Sequence, residues 1–376
     1  MEPSLQQLAD NLCRLATHHD ITGSWPEASL TELGSAGAWR WVIPAAYGGL
    51  GLDQVQLTQA YEAVAAGCMT TLLILTQRDR ACELIADGEN ELLKANLLPR
   101  LMRNELLATV GISQVTTSRQ GARPALTATV DGQDFVLNGV MPWVTSAARS
   151  RLIVTAAMLS DGRQLLAAVD ADSPGLTIDK PMDLMALQAS NTSEVHCRTV
   201  RVPRERVIRG PTANALSSGM TIRPHVVAAA GVGLAGSMAS FITAHAGNAD
   251  GPLRTLAEEI QHRCDAMRER LYRVTQQAAS RATLHADEAG SADGPAVATD
   301  EKTDLRVAVN DLLVRVASAA LVYGKGTGFL RQMPVQRLVR EAMFFLVWSA
   351  SSDVRVGTVA RLLEAPPPET RSLSID

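Results

Sequence analysis

The sequence predicts an α+β protein built from consecutive segments of helix, sheet and helix. Two observations predict it. Apolar residues recur at the helical period toward both ends of the chain, and between them the texture changes to short β-branched runs separated by Asp-Gly turns. The composition agrees: 376 residues, 46% hydrophobic and 20% charged, describe a globular chain of one to three domains.

Residues 1–105 read as an N-terminal α-helical domain. Gly23-Ser24-Trp25-Pro26-Glu27 opens one helix, with proline suited to the first turn and Glu27 beside the positive end of the helix dipole. Residues 55–66 and 70–86 are further helices, and the leucines of 92–98 lead into Pro99. Residues 106–212 read as a middle antiparallel β domain, a barrel or sandwich. Its strands fall at 106–112, 125–130, 135–140, 152–157, 165–169, 176–179 and 195–202, with Asp131-Gly132 and Asp161-Gly162 as turns. Residues 213–365 return to helix as a bundle, and Pro366-Pro367-Pro368 begins a tail over 366–376. In the bundle Leu305, Val309, Leu312, Leu313, Val316 and Ala320 form one apolar stripe, while Arg306, Asn310 and Arg315 take other faces. The acidic, small-residue stretch 286–300 reads as a surface loop.

The net charge of −4 gives no electrostatic reason to expect nucleic acid. Five cysteines, none closely spaced, show neither a disulfide framework nor a metal-ligand spacing, so reduced thiols and no metal site are expected. The charged N-terminus does not read as a signal peptide. The uncharged stretch 224–249 is long enough for a membrane span, but it is dominated by Ala, Gly and Ser and lacks aromatic or basic anchors. A buried core helix and a cytoplasmic protein follow as expectations.

Four local motifs then narrow the reading. Trp41-Val42-Ile43-Pro44-Ala45-Ala46-Tyr47-Gly48-Gly49-Leu50-Gly51 resembles the P-E-x-Y-G-G-x-G loop of the acyl-CoA dehydrogenases. Leu137-Asn138-Gly139-Val140-Met141-Pro142-Trp143-Val144-Thr145-Ser146-Ala147 resembles their N-G-x-K-x-W-I-T-N-A segment. Val200-Arg201-Val202-Pro203-Arg204-Glu205 resembles V-x-V-P-x-E. Gly326-Thr327-Gly328-Phe329, followed by Pro334-Val335-Gln336-Arg337-Leu338-Val339-Arg340-Glu341-Ala342, resembles the late bundle motif of the same family. The four stand in the family's order across nearly the whole chain. The resemblance implies an α-helical domain, a β domain and a C-terminal four-helix bundle. It also implies FAD as cofactor, an acyl thioester (acyl-CoA or acyl-carrier-protein) as substrate, an electron-transfer partner, and a homo- or hetero-oligomer with a homologous chain.

The resemblance places Ser113, Trp143, Val144 and Thr145 at the flavin. Trp143 and Thr145 alone would read as ordinary strand residues; the flanking matches favour an aromatic wall and a hydroxyl donor for an isoalloxazine ring. Ser113 opens Ser113-Gln114-Val115-Thr116-Thr117-Ser118, in place of a loop that in the family carries proline and glycine. At the family's catalytic glutamate this chain has Ser349, and at the alternative base position on the first bundle helix it has Pro224 and His225. A serine hydroxyl without a partner base does not remove an α proton at neutral pH, whereas imidazole titrates in the working range. Ser349 and His225 are therefore the catalytic positions to test, His225 having packing or capping as its ordinary alternative. The other histidines are expected at the surface, and Asp353 lies a helical turn beyond Ser349. Three functions stay open: a dehydrogenase with an atypical base, a reduced-flavin-dependent monooxygenase, and a catalytically degenerate subunit of a heteromeric enzyme.

Overall fold

A computed structural model describes residues 4–116, 124–216, 224–246, 251–287 and 297–364. The chain divides into two compact units, Met1–Leu57 with Gly67–Arg223, and Thr58–Ala66 with Pro224–Asp376.

The first unit begins with α1 (Leu5–Thr22) and α2 (Glu27–Ser35), and α3 (Gln54–Gly67) contributes only its ends to it. Then come α4 (Met69–Ala86), α5 (Glu91–Met102) and the single turn α6 (Ser113–Thr116). Ser4 caps α1 in a reciprocal capping box with Gln7, and Asn90 caps α5 at Leu93 N. Helix α4 is buried almost throughout. Its Arg78 donates to Trp39 O (2.7 Å), Leu101 O (2.9 Å) and Asp79 Oδ1 (2.7 Å), so the buried charge is fully engaged. Pro99 lies inside α5, which runs on to Met102.

The strands are β1 (Ala108–Gly111), β2 (Leu126–Asp131), β3 (Asp134–Val144), β4 (Leu152–Met158), β5 (Gln164–Asp170), β6 (Leu176–Ile178), β7 (Ser193–Val202) and β8 (Val207–Thr212). They form one sheet in the order β6-β7-β3-β2-β4-β5-β8, with β1 added on β4. Most pairings are antiparallel, as expected, but β1 with β4 and β2 with β4 are parallel. Strand β8 was not foreseen, because Gly210-Pro211 interrupts it. One face of the sheet packs on α4 and α5 through Leu84, Ile85, Leu97, Val110 and Val154. The other face forms its own core from Phe135, Leu137, Met141, Ile153 and Val195.

The Asn138-Gly139 pair marks a bulge in β3. Gly139 has φ +129°, and a Cβ there would stand 2.0 Å from Ala125 O, so only glycine fits. Asn138 Oδ1 accepts from Thr199 N (2.8 Å) on β7.

The second unit holds α7 (Pro224–His245), α8 (Pro252–Asp287), α9 (Val297–Gly324), α10 (Pro334–Phe345) and α11 (Ser352–Leu362). The stretch expected as a core helix is α7. Val226–His245 is long and apolar enough to cross a membrane, with mean hydropathy 1.7, and 67% of its most apolar window is buried. Its small residues serve close packing: a Cβ at Gly233 would meet Glu62 O at 2.2 Å, and Ser237 Oγ donates to Ala66 O at 2.5 Å. The stripe from Leu305 to Ala320 is buried throughout.

Burial on α9 extends beyond that stripe. Arg306 and Asn310 are also buried, because α10 and α11 pack there. Asn310 Nδ2 donates to Thr358 Oγ1 (2.8 Å) on α11. The segment expected as a loop over 286–300 is helical where described, at the end of α8 and the start of α9, and 288–296 lies outside the described residues. An open groove of about 1220 Å³ runs along α8, α9 and α11.

Candidate active site

In the first unit three of the four predicted cofactor residues, Trp143, Val144 and Thr145, lie where β3 ends, and Ser113 lies on α6 after β1. Trp143 keeps 51% of its surface exposed while its neighbours Pro142 and Val144 are buried, so an apolar indole is held out from a rigid strand. Val144 is fully buried and packs into the core on the sheet's second face.

Thr145 is buried and sits in a chain of hydroxyls. Its Oγ1 lies 3.2 Å from Thr192 Oγ1, which lies 2.9 Å from Ser190 Oγ. Thr109 Oγ1 on β1 donates to Thr145 O at 2.7 Å. Ser146 N donates to Ser190 O (3.0 Å), so the turn after β3 and the turn before β7 are tied together. Ser146 adopts φ +61°, which turns the chain sharply after the strand.

Ser113 opens α6, directly after β1. Its Oγ is buried and has no hydrogen-bond partner among the described residues. Beside it, Gln114 Nε2 donates to Gly111 O (2.9 Å) and Ala156 O (3.0 Å), and its Oε1 has no partner among the described residues. Buried hydroxyls and amides left unpaired are costly, so such atoms point to a ligand that supplies the missing bonds. Thr117 and Ser118, the rest of that loop, lie outside the described residues.

In the second unit, Ser349 lies in the exposed turn between α10 and α11 with φ +51°. That turn is anchored from α9. Arg306 donates to Phe345 O (2.5 Å) and Trp348 O (2.9 Å), and its guanidinium stands 4.0 Å from the Phe345 ring centroid. Burial pushes the Arg306 guanidinium down to about 9. Asp353 is exposed in the first turn of α11. His225 falls in the first turn of α7, and its side chain lies outside the described residues. Arg254, the nearest cation after the first bundle helix, is exposed and paired with Glu258 at 3.2 Å.

Sequence reading missed Thr109, Ser190, Thr192 and Gln114. The only local signal was the polar run Ser190-Asn191-Thr192-Ser193 just ahead of an alternating strand.

The sheet of the first unit thus bears an exposed indole, Trp143, next to a buried chain of hydroxyls, Thr145, Thr192 and Ser190. Residues 3–105 match the family model for the acyl-CoA dehydrogenase N-terminal domain. A probable acyl-CoA dehydrogenase of Bacillus subtilis (strain 168), YngJ, is 26% identical, covering 93% of this chain and 92% of that protein. The structure of butyryl-CoA dehydrogenase from Megasphaera elsdenii superposes with a TM-score of 0.79 at 19% identity, over 96% of both chains. KijD3 in complex with FMN and a dTDP-amino-keto-sugar superposes with a TM-score of 0.78 at 22% identity, over 96% of this chain and 93% of that one. Residues 3–105 thus carry an acyl-CoA dehydrogenase N-terminal domain, and the chain is similar to a probable acyl-CoA dehydrogenase over nearly its whole length.

Proposed function

We propose that the chain is a flavin-dependent oxidoreductase that binds FAD and acts on an acyl thioester, by α,β-dehydrogenation with an atypical base. The observation that carries the cofactor is the pair of features at the end of β3, the exposed indole of Trp143 and the Thr145–Thr192–Ser190 hydroxyl chain, together with the buried Oγ of Ser113 on α6, which has no partner among the described residues. An isoalloxazine ring has a flat apolar face and a polar edge, and that set offers a partner for each. Bound FAD supplies a hydride acceptor. Trp143 supplies aromatic surface and Thr145 Oγ1 a hydroxyl donor, held in direction by Thr192. Ser113 Oγ would offer the bound group a hydroxyl that has no partner among the described residues.

The base is the unusual part. Ser349 offers a hydroxyl in an exposed turn, and a lone hydroxyl does not take an α proton at neutral pH. His225, in the first turn of α7, is the residue we assign to that role. Electrons leave to an electron-transfer partner. Leu253, Leu256 and Val322 are exposed in the groove along α8, α9 and α11, which supports assembly with a homologous chain.

The test is acyl-thioester-dependent dye reduction by the parent protein, His225→Ala and Ser349→Glu, over short, long and branched chains. Loss of activity in His225→Ala supports the assignment, since general-base assistance contributes ~10²–10⁴-fold. Equal rates in parent and His225→Ala remove His225 from the reaction. A gain confined to Ser349→Glu identifies a chain with a vacant base position. Because Ser349 replaces a carboxylate, a second reading is a reduced-flavin-dependent monooxygenase, which needs no α-proton base. Oxygen consumption with reduced flavin and no acyl-CoA turnover favours it.

A further inference from the structure

Strand β6, three residues long, is the edge of the sheet and pairs antiparallel with β7, placing Thr177 opposite His196 and Ile178 opposite Val195. Just past its end, Asp179 N donates to Glu194 O at 3.0 Å, which keeps Asp179 beside Glu194. Glu194 and His196 are two residues apart on β7, so both project from the same side of the strand, away from the buried Val195 and Cys197. Strand pairing thus brings together three side chains that the sequence separates.

Their donor atoms converge. His196 Nε2 lies 3.2 Å from Asp179 Oδ2 and 3.3 Å from Glu194 Oε1, and the donor atoms of all three lie within 4.8 Å of one another. An ion bonded to nitrogen and oxygen at ~2.0–2.2 Å, with bond angles of roughly 90–110°, holds neighbouring donors ~2.9–3.5 Å apart. Both measured separations fall in that range. Without an ion His196 Nε2 can hydrogen-bond one of the two carboxylates, while both sit side by side across the strands, where like charges destabilise a sheet.

We propose that Asp179, Glu194 and His196 bind one divalent transition-metal ion, which pins the edge strand β6 to β7. An imidazole joined to two carboxylates suits Zn²⁺, Co²⁺ or Ni²⁺, whereas Mg²⁺ and Ca²⁺ prefer all-oxygen sites. The three protein ligands face solvent, so water completes the coordination. The two carboxylates balance the ion's charge and lose their mutual repulsion. The ion ties together segments 15 residues apart in sequence and so stabilises the folded sheet relative to the unfolded chain.

The test is calorimetric titration of the full chain with ZnCl₂, CoCl₂ and MgCl₂ under reducing conditions. We expect one saturable equivalent of zinc and of cobalt, no magnesium binding, and a rise in melting temperature with zinc. His196→Ala, Asp179→Asn and Glu194→Gln should each weaken zinc by about tenfold or more and abolish the thermal shift. All three positions are partly or fully exposed, so the variants should keep the parent's circular dichroism and the loss can be read as loss of the ion. His18→Ala, in the adjacent pair His18-His19, should leave binding unchanged. Absence of saturable zinc binding, or binding that survives His196→Ala or is lost in His18→Ala, overturns the proposal.

Discussion

Arg306 offers the sharpest test of how the second unit is held together. Replacing it with methionine keeps an unbranched apolar side chain but removes the guanidinium from a site where it is 6% exposed. Three acceptors lose this donor: Phe345 O, Trp348 O and Asn310 Oδ1, the last at 3.1 Å. A buried acceptor stripped of its donor costs ~1–3 kcal/mol, so the gross loss is about 3–9 kcal/mol. Removing a buried cation whose protonation is already disfavoured offsets part of this, and the methionine retains contact with the Phe345 ring. The net expectation is a loss of about 3 kcal/mol for Arg306→Met. Urea unfolding followed by tryptophan fluorescence measures it, with Trp348 as a reporter in the affected turn. Arg306→Lys should recover only part, since lysine cannot serve all three acceptors from one fork. An Arg306→Met protein as stable as the parent would refute the view that this arginine anchors the turn bearing Ser349.

Two further perturbations test the first unit. Gly139→Ala should prevent soluble expression or cost more than about 2 kcal/mol, because the new Cβ would stand 2.0 Å from Ala125 O; parent-like thermal unfolding would show that the bulge can relax. His19 is buried, neither ring nitrogen has a partner among the described residues, and burial followed by the neighbouring His18 charge lowers its pKa from 6.5. The unfolded chain therefore takes up the proton first, so stability is complete above about pH 7 and declines as pH falls through 6.5 toward the folded value. His19→Leu should flatten that decline between pH 7 and about pH 5.5, as read by urea midpoints; an unchanged slope would place the pH dependence elsewhere.

Much of the fold was legible because it is written in local periodicity. The stripe on α9, the core character of α7 and seven strands follow from spacing and turn chemistry alone. What escaped was non-local. Arg306 and Asn310 look like surface residues on a helical wheel, and only the packing of α10 and α11 buries them. His19 carries no sequence mark of burial. Strand β8 hides behind Gly210-Pro211. At the proposed site, Trp143 and Thr145 stand within a flanking motif that the sequence displays. Thr109 and Thr192, 36 and 47 residues from Thr145, meet it only through strand pairing and the turns tied to it. The same holds for Asp179, Glu194 and His196.

The most direct test of the account is the flavin content of the purified chain. We predict yellow protein that releases FAD on denaturation, or apoprotein that takes up one FAD per chain, with Thr145→Ala and Trp143→Ala each weakening FAD by at least about tenfold. An acyl thioester should then bleach the flavin band without oxygen. Colourless protein that takes up neither FAD nor FMN would contradict the proposal at its root.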